Sequence, residues 1–196
     1  MKTIVNTIIL AAVVVFMVTV ALPVSAWAGD STLAATPKRV GDPFREEHAK
    51  VREHVTHWGT MLATISMLPD TEQVATIKHI ATCLNGNVIP HTKVEEQVFY
   101  PAVDKYAGVG KDGSTFTSTM RHEHKVISRW TEELTAQADK PTPDVNAFSR
   151  RAQNLIGLLI AHFEQEEEVL LPVLENSMTA DQFQKEIMDK MVEKTE

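Results

Sequence analysis

The stretch HTKVEEQVFYPAV (91–103) recurs as HFEQEEEVLLPVL (162–174), and both copies read His-x-x-x-Glu-Glu-x-Val-x-x-Pro-x followed by an aliphatic residue. A second pair, FREEHAKV (44–51) and MRHEHKVI (120–127), shares the order apolar-Arg-x-Glu-His-x-x-aliphatic. The offset is 71 residues from 91 to 162 and 76 residues from 44 to 120. The chain is therefore predicted to contain two helical hairpins of common design.

Apolar residues around these copies recur at helical spacing in four long stretches and one short C-terminal stretch, without strand-like alternation. Four long helices joined by short loops predict an all-α antiparallel four-helix bundle over 42–178, followed by a short C-terminal helix over 179–196. The inward-facing side chains predicted on the five helices are Phe44, Val51, Val55, Leu62 and Ile65; Ile77, Ile80, Leu84, Val88, Val98 and Ala102; Met120, Ile127 and Leu134; Leu155, Leu159, Val169 and Val173; and Phe183, Ile187 and Met191.

Capping residues mark the predicted helix starts. Asp42 and Thr142 are expected N-caps, because each precedes a proline that suits the first helical position. Asp70 and Thr179 each have a glutamine three residues later, at Gln73 and Gln182, which predicts two capping boxes. Pro90 lies inside the second helix, where it is expected to kink the helix or weaken a backbone hydrogen bond.

Residues 1–28 have the features of an export signal: Lys2, an apolar run over 4–22, Pro23, and small residues before cleavage positions at Ala26 or Ala28. The apolar run is nearly long enough to span a bilayer, so an uncleaved anchor is the alternative. Residues 29–41 predict a linker. The protein is therefore expected in the periplasm or outside the cell, with membrane contact only if the segment is retained.

Composition excludes two further classes of protein. The net charge is −7, with 26 acidic and 19 basic residues and no long basic run, so nucleic acid is not an expected partner. Cys83 is the single cysteine, so the chain cannot form an intramolecular disulfide and requires an apolar core for its stability.

The repeated motif also predicts a metal site. His and Glu four residues apart share a helix face, and both pairs interrupt the apolar stripes rather than the polar faces. An ionised glutamate inside a bundle costs several kcal/mol unless it is paired or binds a metal. We therefore expect two metal ions, with two glutamates placed to bridge them. The predicted ligands are His48, His91, Glu95, His124, His162 and Glu166.

The repeat also chooses among the remaining histidines. His48 and His54 flank the apolar face of the first helix equally, but only His48 aligns with a histidine, His124. His122 aligns with Glu46 and remains open as a seventh ligand. Surface or supporting positions are expected for Glu96, Glu167, Glu168, Glu47 and Glu123, and no role is assigned to Tyr100.

Imidazole and carboxylate ligands suit iron, manganese or zinc, whereas the lack of thiolate ligands argues against copper(I) and iron–sulfur clusters. Six side chains are too few to fill two six-coordinate ions. Coordination positions would therefore remain for a small ligand such as oxygen, peroxide or nitric oxide.

The motifs Glu47-His48, HTKVEE, Glu123-His124 and HFEQEE resemble those of the hemerythrin-like family, also called the HHE cation-binding domain. The resemblance implies an up-down-up-down bundle around a non-haem di-iron centre bound by the six residues above and bridged by the two glutamates. The chain differs from oxygen-carrying hemerythrins because Met120 and Ser128 leave His124 without a histidine four residues away. It is more similar to the broad HHE branch.

Three functions follow as hypotheses. The first is an exported di-iron protein that binds metal and a small ligand such as oxygen or nitric oxide. The second is a di-iron oxidoreductase acting on peroxide, nitric oxide or oxygen. The third is a structural bundle without metal. The lack of a readable electron-donor site makes an enzyme the less favoured hypothesis.

Overall fold

The computed structural model describes residues 38–108 and 116–195, and within these ranges the chain forms five helices and no strand. Helix α1 is Asp42–Thr64, with a 3₁₀ turn at Ile65–Met67, and α3 is Ser118–Ala138. Helix α2 consists of Asp70–Cys83, Ile89–Val94 and Tyr100–Ala107, joined by π-helical turns at Leu84–Val88 and Glu95–Phe99. Helix α4 consists of Val145–Gln165 and Leu171–Glu175 around a π turn at Glu166–Leu170, and α5 of Ala180–Phe183 and Asp189–Thr195 around Gln184–Met188. The predicted all-α, hemerythrin-like bundle is confirmed, with α1 to α4 as its four long helices.

Prolines accompany three of the π turns. Pro90, Pro101 and Pro172 each stand two residues after such a turn ends. A proline inside a helix lacks an N–H and clashes with the carbonyl four residues earlier. The widened turn is compatible with this constraint, and α2 continues through Pro90 instead of ending there.

The π turn in α4 changes which side chains face the core. Leu170 and Leu171 are buried, whereas Val169 is 52% exposed and Val173 is half-buried. The prediction that Val169 faces inward was wrong, because it assumed uninterrupted α-helical spacing after Glu166. One extra residue in the turn rotates the rest of the helix.

Two predicted N-caps were also displaced. Gly41 rather than Asp42 precedes α1, and Asp144 rather than Thr142 caps α4. The Asp144 carboxylate accepts a hydrogen bond from the Ala147 N–H at 2.9 Å, so an aspartate beyond the proline provides the cap.

One of the two predicted capping boxes forms. Thr179 and Gln182 make both reciprocal hydrogen bonds at the start of α5. Asp70 is instead the first residue of α2 and makes no such box, because the Gln73 side chain donates to the Leu68 carbonyl at 2.7 Å.

The apolar core consists of two clusters with a polar layer between them. One cluster, around Trp58, Leu62, Ile77 and Leu155, fills one end of the bundle. The other cluster surrounds Phe99 and fills the opposite end, where Phe183, Ile187, Met188 and Met191 of α5 join it. Each of the four long helices contributes to both clusters, so every helix crosses the polar layer.

None of the described helices is both long and apolar enough to cross a membrane. The expected export segment (1–28) and most of the expected linker (29–41) lie outside the described residues.

Candidate metal centre

The polar layer contains all six side chains predicted as metal ligands. His48 comes from α1, His124 from α3, and the two His-x-x-x-Glu pairs come from α2 and α4. The side chains of His48, His162 and both glutamates are fully buried, that of His124 is 5% exposed, and that of His91 is 13% exposed. The structure therefore brings the six residues together, while their ligation of metal remains a prediction.

Each carboxylate lies between histidines from different helices. Glu95 Oε1 lies 3.2 Å from His48 Nε2 and 2.9 Å from His91 Nε2, and its Oε2 lies 3.4 Å from His124 Nε2. Glu166 Oε2 lies 3.4 Å from His48 Nε2, and its Oε1 lies 3.6 Å from His162 Nε2.

The donor atoms fall into two groups that share Glu95. One group contains Glu95, His124, His162 and Glu166, and the other contains His48, His91 and Glu95. Within each group, the candidate ligand atoms all lie within 4.8 Å of one another. This arrangement would accommodate two cations side by side.

Three of these donors have no hydrogen-bond partner although they are buried: His91 Nε2, Glu95 Oε2 and Glu166 Oε2. Leaving a buried polar atom unpaired costs about 1–3 kcal/mol, and more when the group is charged. Atoms that lack a hydrogen bond but lie close to other donors are suited to metal coordination. The residues present therefore fit a metal centre.

The two carboxylates have opposite pKa shifts. Burial and the nearby negative charge of Glu95 raise the pKa of Glu166 well above its usual value. Burial also acts to raise the pKa of Glu95, but His91, His124 and His48 outweigh it and lower that pKa well below the usual value. Without metal, the protonated Glu166 and the ionised Glu95 therefore avoid two adjacent negative charges.

The histidines also differ. Burial lowers the pKa of His162 to about 4, so its ring is neutral and able to coordinate metal at neutral pH. Burial would lower the pKa of His48 as well, but hydrogen bonds with Glu167 and Glu95 raise it above the model value of 6.5.

Tyr100 also lies in the centre, although sequence reasoning assigned it no role. Its hydroxyl donates to Glu166 Oε1 at 2.7 Å and lies 2.9 Å from His124 Nε2. Tyr100 follows Glu95 by five residues, a spacing that points to a different face of a regular α-helix. The π turn Glu95–Phe99 brings the two onto one face. The repeated proline after that turn was the available signal.

The second glutamate of each His-x-x-x-Glu-Glu motif contacts a histidine of another helix. Glu167 Oε1 lies 2.9 Å from His48 Nδ1, and Glu96 Oε1 lies 3.3 Å from His124 Nδ1. The 71- and 76-residue offsets relate these two contacts. Such carboxylates fix the orientation and tautomer of a metal-binding histidine.

Arginines hold both of these outer glutamates. Arg52 Nη2 donates to Glu167 Oε1 at 2.8 Å, and Arg121 Nη1 donates to Glu96 Oε2 at 3.1 Å. Arg121 also donates to Asp104 near the end of α2. The orientation of His48 and His124 is therefore supported by charged groups outside the polar layer.

Glu123, expected on the surface or in a supporting role, has a supporting position. Its Oε2 lies 2.8 Å from His162 Nδ1, and its side chain is 18% exposed. Glu47, its counterpart in the repeat, contacts Lys50 Nζ at 2.6 Å instead. His54, His122 and Glu168 are exposed and belong to neither group of donors.

Comparison with known proteins agrees with this site. The hemerythrin HHE cation binding domain model matches residues 41–174. A curated relative, the "DNA nickase" of Nostoc sp. (strain PCC 7120 / SAG 25.82 / UTEX 2576), is 27% identical over 92 residues. This similarity covers 47% of the chain and 24% of the relative, so it spans about a quarter of that protein. No solved structure is significantly similar. The family match covers well over half of the chain, which therefore belongs to the hemerythrin HHE cation-binding domain family.

Proposed function

We propose that the domain binds two iron ions in the polar layer, with both glutamates bridging them. The observation that carries the proposal is a buried set of four histidines and two glutamates, three of whose polar atoms lack hydrogen-bond partners. The positions of the carboxylate oxygens support bridging. Glu95 has one oxygen towards His48 and His91 and the other towards His124, and Glu166 lies similarly between His48 and His162.

Ligand chemistry favours iron. Mixed imidazole and carboxylate donors suit iron, manganese or zinc, and none of the six donors is a thiolate. Iron would supply reversible redox chemistry and coordination positions that the six side chains do not fill. The surrounding apolar clusters exclude bulk water, and the outer glutamates keep the ring nitrogens of three histidines oriented towards the centre.

We further propose that the iron centre binds a small ligand such as oxygen or nitric oxide, and that the protein acts in the periplasm or outside the cell. The unfilled coordination positions support the first part, and the composition of residues 1–28 supports the second. A di-iron oxidoreductase acting on peroxide, nitric oxide or oxygen is the second candidate. Similarity to the nickase covers too little of that protein to transfer its activity, and the acidic net charge disfavours nucleic acid.

Metal analysis of the purified protein tests the main proposal. We expect about two irons per chain. Glu95→Gln and Glu166→Gln should lower the iron content strongly, because each removes a charged bridging donor. Glu168→Gln is the matched control, since Glu168 belongs to the same acidic run but is exposed. Iron-free wild-type protein after growth and reconstitution with ferrous iron would favour the structural bundle.

A visible absorption spectrum distinguishes the two iron-dependent functions. Spectral change on adding nitric oxide or oxygen to the reduced protein, without net consumption, supports a binding protein. Continued consumption of peroxide or nitric oxide in the presence of an electron donor supports the oxidoreductase.

A further inference from the structure

The repeat predicts a contact for His91 that the structure lacks. His162 has Glu123 on its outer nitrogen at 2.8 Å. Subtracting the same offsets, 71 for the histidine and 76 for the glutamate, gives His91 and Glu47. Glu47 instead pairs with Lys50 and is 48% exposed. Among the described residues, the carboxylate that His91 contacts is Glu95 within the centre.

A cavity occupies this side of the centre. Its volume is about 380 Å³, and it is lined by Glu47 and His54 of α1, His91 and Val94 of α2, and Val192 of α5. It extends from exposed side chains at its mouth to the most exposed of the four site histidines. The second half of α5, Asp189–Thr195, packs against α2 here and covers one side of the cavity.

The opposite side of the centre is more firmly held. A second cavity, of about 280 Å³, reaches His124. There, however, Glu96 contacts His124 Nδ1 and is itself held by Arg121. The His124 ring is therefore fixed from outside, whereas no outer carboxylate fixes the His91 ring in the described structure.

We propose that the cavity beside His91 is the port through which ferrous iron enters and leaves the centre, with His91 as the ligand that moves to admit it. This inference rests on the proposed iron centre. Glu47 and His54 at the mouth offer an anionic oxygen and an imidazole, both of which bind ferrous iron weakly on the surface. His91 lies at the inner end with an unpaired Nε2. A cation can thus pass between donors instead of crossing an apolar wall.

The test measures the rate at which a coloured ferrous chelator in excess removes iron from the reduced, fully loaded protein. Val192→Trp places an indole at the mouth of the His91 cavity, because Val192 is 59% exposed there. Gly86→Trp is a second variant lining the same cavity, and an added Cβ at Gly86 has no atom within 4 Å. Both should slow iron release by about tenfold, which requires only about 1.4 kcal/mol of added barrier.

Two matched variants serve as controls. Lys93→Trp adds the same side chain beside the His124 cavity, and Glu193→Trp adds it on α5 outside both cavities. Both should release iron at the wild-type rate. Equal rates in all four variants, or slowing only in Lys93→Trp, would overturn the port while leaving the iron centre intact. Failure of the wild type to bind iron would instead refute the proposed function on which the port depends.

Discussion

Adjacent glutamates serve different helices in this centre. In each motif, the first glutamate faces the interior and the second turns outwards to a neighbouring histidine, as Glu95 and Glu96 do in α2. A glutamate has one side chain, so the two positions cannot exchange roles without rotating the helix. The repeated Glu-Glu pair thus ties the inner ligands to the support of the adjacent helices.

Replacing Glu123 and Glu47 separately by alanine tests this support. Glu123→Ala removes the carboxylate on His162 Nδ1 and should weaken iron affinity by about 10- to 100-fold. Glu47→Ala removes a residue that pairs with Lys50 and should change equilibrium affinity much less. The measurement is competition with a chelator of known affinity. Equal losses in the two variants would contradict the asymmetry.

Tyr100→Phe tests the hydroxyl in the centre. The variant leaves Glu166 Oε1 without its donor, so the metal-free protein should lose about 1–3 kcal/mol of unfolding free energy. Chemical denaturation measures this change. Tyr106→Phe is the control, because Tyr106 is half-buried away from the centre. Matching stabilities for the two variants would show that the Tyr100 hydroxyl does not stabilise the site.

The sequence could predict the six inner residues but not their outer contacts. The inner residues follow from two short-range facts, the i, i+4 spacing and the apolar stripe, and both survive folding unchanged. Glu123 and Tyr100 acquire their roles only when helices meet. Their positions depend on packing and on a π turn, which a single-helix periodicity does not contain.

At the scale of helices, the π turns have the largest effect on the site. They begin at Glu95 and Glu166, so the widened backbone starts at both of the inner carboxylates. π turns are frequent at functional sites, where they re-aim side chains. Here the turn in α2 brings Tyr100 into the centre, and the turn in α4 exchanges Val169 for Leu170 on the core face.

Two alanine substitutions test this change of helix phase. Leu170→Ala should cost about 2–5 kcal/mol of unfolding free energy, because Leu170 is buried in the core. Val169→Ala should cost within about 0.5 kcal/mol, since Val169 is exposed. Urea denaturation measures both values. The reverse order would indicate a regular α-helix through this segment.

A salt bridge joins α1 to the end of α4. Arg45 Nη1 and Nη2 donate to the Glu175 carboxylate at 2.6 and 3.0 Å, and this hydrogen bonding lowers the pKa of Glu175. The stabilisation is therefore present above the usual carboxyl pKa of 4.5 and disappears as the pH falls through the lower folded-state value. Arg121 and Asp104 form the repeat-related contact between α3 and α2.

Glu175→Gln tests this pair through its pH dependence. The variant should be less stable than wild type by about 1–3 kcal/mol at pH 7, because it loses a charge-assisted hydrogen bond. The difference should shrink as the pH falls below 4.5, where wild-type Glu175 also becomes neutral. Thermal melts over this pH range measure it. A difference independent of pH would assign the loss to packing instead.

For the whole molecule, the metal centre and the core are inseparable. The polar layer lies between two apolar clusters, so every long helix passes from one cluster to the other through a ligand-bearing segment. The repeat and the apolar stripes predicted this bundle and its ends well. They could not place α5, whose Met188 and Met191 pack on one cluster through contacts between distant parts of the chain.

Removal of metal should therefore destabilise the entire bundle. Iron that binds only the folded state adds about 2.7 kcal/mol at a free concentration 100 times its Kd, corresponding to a Tm increase of roughly 5–10 °C. Calorimetry of loaded and chelator-treated protein measures the shift. The Glu95→Gln variant is the control and should show little shift. Indistinguishable melting of the two wild-type samples would contradict a buried centre.

The internal repeat has one more consequence, for the origin of the centre. Each hairpin supplies three of the six donors, so neither hairpin could hold the pair of cations alone. Two identical hairpins associating around a two-fold axis would assemble the same set. Joining them into one polypeptide removes the dependence of assembly on protein concentration. It also allows the halves to diverge, so that Glu47 can differ from Glu123 and one side of the centre can admit what the other retains.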